Sequence, residues 1–247
     1  MTFQSGRGVV YIATGDLYVK AAIRSARSVA EHAPGLPVFI FHDDATRLLV
    51  ESAGDLFSGS SLIENPHRRS KVDYFPRSPF ERTLFLDTDT EICGPILDLF
   101  DLLDRFDIAL AHAQRRWRRD TTETWREDIP FCFPQFNTGV ILFHLGRPRV
   151  REFLNDWRTV FHQANFRKDQ VTLRELLWRS DLRIATLPPE YNTRFKKYLL
   201  LWSRDEARPL ILHYREFHKN WPTWRWRISP SMLLTKWAKR RIGLPLK

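Results

Sequence analysis

The sequence predicts an α/β domain with a mostly parallel central sheet and helices on both faces, followed by a basic C-terminal tail. Three observations predict it. Short apolar runs of strand character alternate with segments whose apolar residues recur at helical spacing, the order that builds βαβ units. The runs are nearly continuous in apolar character, which suits strands covered on both faces. The 247 residues hold no internal repeat and no linker, so one large domain is expected, residues 1–221, with a tail at 222–247.

The elements follow in order. Residues 8–14 read as a buried strand. Asp16 reads as an N-cap, after which Val19, Ala22, Ile23, Ala26, Val29 and Ala30 form one helical face ended by Pro34 and Gly35. Residues 37–41 are the next strand, and a helix is expected from Asp43–Asp44 to Gly54. Strands are expected again at 82–87, 106–111 and 138–143, helices at 149–164 and 168–178, and short strands at 182–187 and 209–212. Residues 113–133, with Arg115, Arg116, Trp117, Arg118 and Arg119, break the pattern and predict a long surface loop of the functional-lid kind.

Composition narrows the function classes. Hydrophobic residues make up 43% and charged residues 28%, as in ordinary globular proteins. No apolar run reaches the ~18 residues of a membrane-crossing helix, and the first residues lack a signal-peptide core. Two cysteines, Cys93 and Cys132, argue against a disulfide framework and for a reducing, cytoplasmic setting. The formal net charge is +10, but residues 214–247 hold nine Lys/Arg against one acid, Glu216. The remainder is close to neutral, so nucleic acid is not an expected partner of the whole chain.

The sharpest chemical feature is Asp87-Thr88-Asp89 at the end of the apolar run Leu84-Phe85-Leu86. Ligands of open α/β sheets bind beyond the carboxyl ends of strands. Two carboxylates there can share one hard divalent cation together with substrate phosphates; an acidic turn is the bland alternative. His213 also closes an apolar run, and by itself it reads equally as a satisfied histidine at a domain edge. What sets it apart is Lys219 six residues on and Trp221 two further.

With these motifs the chain resembles glycosyltransferase family 8, the group of GT-A-fold enzymes that includes glycogenin-like and bacterial lipopolysaccharide galactosyl- and glucosyltransferases. The closing motif of that family matches at His213, Lys219 and Trp221, and its Asp-X-Asp at Asp87 and Asp89. Lys71 stands where the family places a basic residue. Phe136-Asn137-Thr138-Gly139-Val140, Asp169-Gln170, residues 187–192 and residues 13–18 resemble further family segments, in the family's order. The resemblance implies a metal-dependent, retaining transfer of a hexose from a nucleotide-diphosphate sugar, UDP-glucose or UDP-galactose, to a glycan or glycolipid. It implies Asp87, Asp89 and His213 as ligands of Mn²⁺ or Mg²⁺, the imidazole favouring Mn²⁺. Lys219 would meet the diphosphate, Thr14 and Tyr18 the nucleoside, and Lys71 a donor hydroxyl or phosphate, with Asp87 and Thr88 also among the donor-binding residues. Tyr18 could equally be packed in the core of the first helix.

Asn137, Asp169 and Gln170 would surround the transferred sugar as catalytic residues. Gln170 is a poor nucleophile, which favours a front-face transfer in which the leaving diphosphate takes the acceptor proton; Asp169 would orient the donor or act as nucleophile. The sequence departs from the family at Glu216 for glycine, Asn220 for proline, Gly15 for asparagine, and His112-Ala113-Gln114 where an aspartate is usual. Glu216 would bring a Cβ and a negative charge towards phosphates unless its loop bends differently. Arg115–Arg119 is a solvated basic loop or the seat of an anionic acceptor.

The stretch from Trp221 to the end mixes four Trp with Lys/Arg, suited to peripheral contact with an anionic membrane at its inner face, or to packing of Trp on the domain. A catalytically silent anionic-surface or nucleic-acid binding protein is the alternative reading. A sugar-nucleotide pyrophosphorylase lacks support, because no Gly-rich N-terminal phosphate loop is present.

Overall fold

The computed structural model describes residues 4–195, 198–199, 202–203 and 205–218. Lys219, Asn220, Trp221 and the tail at 222–247 lie outside them, as do the expectations placed on those residues.

In chain order the strands are β1 (Gln4–Ala13), β2 (Val38–His42), β3 (Gly59–Leu62), β4 (Phe80–Leu86), β5 (Thr90–Ile92), β6 (Ile108–His112), β7 (Phe136–His144), β8 (Ile184–Thr186) and β9 (Ile211–His213). The helices are α1 (Asp16–His32), α2 (Arg47–Glu51), α3 (Lys71–Tyr74), α4 (Leu102–Arg105), α5 (Arg119–Thr122), α6 (Pro148–Ala164) and α7 (Asp169–Arg179). Seven strands form one sheet in the order β3-β2-β1-β4-β7-β6-β8, and β5 pairs with β9 in a small second sheet. Among the seven, β7 alone is antiparallel to its neighbours β4 and β6; the other pairings are parallel. The expected mostly parallel sheet is therefore present. The reversal of β7 matters: its first residues lie at the same edge as the last residues of β1, β4 and β6.

Alternation along the central strands explains why both faces need cover. Leu84 and Leu86 of β4 and Val140 and Leu142 of β7 join the core under α1, with Val19, Ala22, Ala26 and Val29. Phe85, Ile141 and Phe143 point the other way, against Trp157 of α6 and Leu173 and Leu177 of α7. Trp157 is fully buried and stacks on Phe75, ring centroids 5.4 Å apart.

Two local expectations are corrected. Asp16 is the first residue of α1, and the cap position is Gly15, at φ 82 and ψ 152. That conformation is essentially reserved for glycine, which explains why asparagine is absent there. Gly15 N–H donates to Asp43 Oδ2 at 2.7 Å. The single helix expected up to Gly54 is broken into 3₁₀ turns around the five-residue α2. Asp43 ends β2's exit by accepting from Gly15 and from Thr46 Oγ1 (2.6 Å), and the buried Thr46 bends the chain before helix can propagate. The 113–133 segment is irregular apart from the single turn of α5, as expected. Among the described residues no helix is long and apolar enough to cross a membrane.

The sheet end remote from the Asp87 turn is clamped by one buried carboxylate. Asp107 Oδ1 accepts from Arg147 Nη1 (2.6 Å) and Arg149 Nη2 (2.7 Å), and Oδ2 accepts from Arg183 N–H (2.7 Å). It thus ties β6 to α6 and β8. Burial would raise this carboxyl, but the Arg183 amide and the two guanidinium groups outweigh it and hold it below the usual range. A depressed value in the folded state means the stabilisation is present above the ordinary carboxylate range and is lost as pH falls through the folded value. Asp107→Ala is expected to cost about 2–3 kcal/mol in urea unfolding at neutral pH, with the difference shrinking in acid.

Candidate active site

The carboxyl ends of β1, β4 and β6, the start of β7 and the end of β9 surround a cavity of about 760 Å³. Thr14 and Tyr18 follow β1, Asp87 to Asp89 follow β4, Gln114 follows β6, and Asn137 and Thr138 open β7; all line it, with His213 and Gln170. This is the edge at which sheets of this class bind ligands.

Asp87, Asp89 and His213 come together because β5, directly after the two aspartates, pairs with β9 in the register Thr90 opposite His213. Tyr214 N–H donates to Asp89 O at 2.9 Å and continues the alignment. Ser25 and Ser28, polar interruptions on the apolar face of α1, seat β5: Ser25 Oγ bonds Thr90 Oγ1 at 2.8 Å, and Ile92 N–H donates to Ser28 Oγ at 2.9 Å. One ligand atom from each of Asp87, Asp89 and His213 lies within 4.8 Å of the others. His213 Nε2 is 3.0 Å from Asp89 Oδ1 and 3.6 Å from Asp87 Oδ2.

A chain of hydrogen bonds assigns the proton on His213. Gly139 N–H donates to Asn137 Oδ1 at 3.1 Å, so that atom is an oxygen facing a donor. Asn192 Nδ2 donates to the same oxygen at 2.9 Å. Asn192 Oδ1 then faces His213 Nδ1 at 2.8 Å and takes its proton. With Nδ1 engaged by Asn192, Nε2 is the ring nitrogen turned to the two carboxylates, and it is the atom a cation there would meet. Gly139 makes room for the ring: a Cβ there would lie 1.9 Å from His213 Cε1. Two hard carboxylates with one imidazole lone pair suit a divalent cation such as Mn²⁺ or Mg²⁺.

Arg194 places Nη1 2.9 Å from His213 Nε2 and lines the same cavity. Burial would raise the Asp89 carboxyl, but the neighbouring His213, His218 and Arg194 hold it well below the usual range, so it is ionised. Lys71 is buried and joins the two halves of the site: Nζ donates to Asp87 Oδ1 (3.0 Å) and Thr138 O (2.8 Å) and lies 3.7 Å from Asp169 Oδ2. Asp169, at the start of α7, is 1% exposed, and Arg69 Nε lies 3.5 Å from its other oxygen. Burial works to raise the Asp169 carboxyl, and Lys71, Arg69 and Thr138 bring it below the usual range. Gln170 lines the cavity; Asp169 is set back from it behind Lys71.

Tyr18 is 45% exposed, lines the cavity and meets the His218 ring edge-on at 4.8 Å, so its packing in the core of the first helix does not occur. His218 Nε2 is 3.0 Å from Thr88 Oγ1. Residues 215–218 form one 3₁₀ turn, held to α1 by Arg24, whose Nη1 donates to Phe217 O at 2.6 Å. Arg215 and His218 line the cavity; Glu216 is not among the described lining residues. Sequence reasoning missed Arg194, Arg69 and the roles of Asn192 and His218. Asn192 and His218 lay inside quoted motifs, whereas Arg69 and Arg194 carried no local signal.

No protein-family model matches the chain. Glycosyltransferase GlyE of Streptococcus pneumoniae serotype 4 (strain ATCC BAA-334 / TIGR4) is 24% identical in a match covering 98% of this chain; the chain spans 66% of GlyE's length. Galactosyltransferase LgtC, solved in complex with donor and acceptor sugar analogues, superposes with a TM-score of 0.60 at 16% identity, covering 84% of this chain and 87% of LgtC. Mouse xyloside xylosyltransferase 1 in its apo form gives 0.56 at 15% identity, covering 85% and 97%.

The chain has the GT-A glycosyltransferase fold. Within that fold, the cavity beyond the carboxyl ends of β1 and β4 is the one into which Thr14, Asp87, Asp89 and His213 project.

Proposed function

We propose that the chain is a metal-dependent glycosyltransferase that moves a hexose, from UDP-glucose or UDP-galactose, to a glycan or glycolipid with retention at the anomeric carbon. The observation that carries this reading is the convergence of Asp87, Asp89 and Nε2 of His213 at the ligand-binding edge of a GT-A sheet.

A divalent ion on these three residues supplies Lewis-acid neutralisation of the diphosphate as it leaves. The chain's own residues do the rest. Thr14 and Tyr18 bind the nucleoside on the β1 side, with Thr88 at the diphosphate and Tyr18 braced by His218. Arg194 sets a guanidinium beside the triad, where anionic oxygens gain charge-assisted hydrogen bonds. Lys219, next after His218, adds a point charge to the same group. Lys71 fixes Asp87 and faces the donor sugar. Gln170 and Asn137 flank that sugar on the β7–α7 side. The burial of Asp169 between Lys71 and Arg69 supports its orienting role over a nucleophilic one. With a neutral carboxamide facing the sugar, a front-face transfer in which the departing diphosphate takes the acceptor proton fits best. Residues 1–221 form the catalytic domain, and 222–247, with Trp among Lys/Arg, rest on an anionic membrane at the cytoplasmic face.

The test is a panel of nucleotide sugars with Mn²⁺, scored for release of nucleoside diphosphate. One UDP-hexose is expected to be turned over, and EDTA in excess of Mn²⁺ is expected to silence release until metal is restored. Release that persists in EDTA would remove the metal from the mechanism; no release from any donor would remove the transferase.

A further inference from the structure

We propose that the acceptor carries an anionic group, a phosphate or a carboxylate, received by Arg115, Arg118 and Lys168. This deepens the transferase reading and rests on it.

One wall of the cavity is built from three separate segments: the approach to α3, the 113–121 stretch after β6, and the approach to α7. They are joined directly. Arg69 Nε donates to Arg167 O at 3.4 Å, and Lys168 Nζ bonds Asp120 Oδ2. Into the cavity this wall directs Arg68, Arg115, Arg118, Arg167 and Lys168, and the acid that lines it there is Asp120. Asp120 is already engaged with Lys168, and Arg118 Nε is 3.7 Å from its other oxygen. Like charges gathered on one wall repel each other, and a concave wall of one sign concentrates ligands of the other.

The donor's diphosphate does not account for this charge. It has the triad with Arg194 at the β4–β9 side, and its nucleoside lies beyond β1. In the sheet order β1-β4-β7-β6, the end of β6 that carries Arg115 is three strand spacings from β1, about 14 Å. The surplus cations therefore sit on the opposite flank from the nucleoside, where a second substrate must enter to reach the donor sugar. Outside the cavity lining, beside this stretch, Trp117 is 89% exposed with its ring 4.8 Å from that of Phe131, an aromatic surface on which a longer glycan could rest. Arginine forks bind phosphate and carboxylate with paired hydrogen bonds, so the shared chemistry is an anionic sugar.

Binding is measured by calorimetry on the full chain with three probes: methyl β-glucoside, methyl β-glucuronide and glucose 6-phosphate. UDP with Mn²⁺ is titrated separately. At least one charged probe is expected to bind about tenfold or more tighter than the neutral one. The arm that gains identifies carboxylate or phosphate as the recognised group. In the exposed pair variant R115Q/R118Q that preference is expected to fall to near parity, with UDP affinity unchanged. Equal binding of all three probes by the parent chain overturns the proposal, as does a variant that loses UDP affinity as much as anion affinity, since the arginines would then serve the donor. Failure of the parent chain to bind UDP at all overturns the transferase reading, and the acceptor with it.

Discussion

Asp89→Ala is expected to lower donor turnover by at least about a hundredfold, and to do so without unfolding the chain. The backbone carbonyl of Asp89 that accepts from Tyr214 N–H is unaffected by the substitution, so the β5–β9 register persists. What disappears is a buried carboxylate held ionised by His213, His218 and Arg194. Two ligands, Asp87 and His213, are too few to hold the cation on the protein side. The check has two parts, turnover and thermal unfolding with and without Mn²⁺ plus UDP. At a hundredfold excess over Kd the parent gains about 2.7 kcal/mol, which raises Tm by roughly 5–10 °C. The variant is expected to gain almost nothing. If Asp89→Ala keeps both turnover and the Mn²⁺-dependent Tm shift, the cation does not sit on the triad.

Gly139→Ala is expected to have an effect of similar size by a different route. The backbone at 139 is at ordinary strand angles, so alanine is conformationally acceptable. Space is the obstacle: the new methyl would lie 1.9 Å from His213 Cε1 and 2.6 Å from Nδ1. The strand cannot retreat, because β7 is held on both sides by β4 and β6 and Gly139 O accepts from Asp87 N–H at 2.7 Å. The imidazole must leave, breaking its bond to Asn192 and taking away the third ligand. About a hundredfold loss of turnover and roughly 1–3 kcal/mol of overpacking are expected. The double variant with His213→Ala separates the two effects: stability should recover, because the clash is gone, while activity should stay low. Full activity of Gly139→Ala alone would show that the ring is not needed where it lies.

Much of the fold was legible because it rests on local pattern. The apolar runs became β1, β2, β4, β6 and β7, and the periodic segments became α1, α6 and α7, with boundaries shifted by a few residues. β3, whose residues are Gly59-Ser-Ser-Leu62, and the three-residue β5 had no apolar run to betray them. The missed β5 is the strand that aligns His213 with the aspartates, so the site's geometry depended on an element too short to see. The reversal of β7 was equally invisible, since strand direction is set by tertiary return of the chain and not by composition. Within the site, Asp87, Asp89 and His213 were legible through motif spacing. Arg194 and Arg69 were not: each earns its place by approaching residues far away in sequence, His213 and Asp169. Asp169 was named from its motif, but its burial behind Lys71 and Arg69 had no local signal.

The pairing of β5 with β9 also sets the order in which the protein can become competent. Thr88 and His218 hydrogen-bond across a sequence separation of 130, and the same closure brings His213 to the aspartates. A nascent polypeptide emerging from the ribosome could complete most of the large sheet while still lacking its third ligand. On the proposed reading, ion capture would be deferred until the final strand docks, so a partly made chain would hold a cation weakly and leave a nucleotide sugar intact.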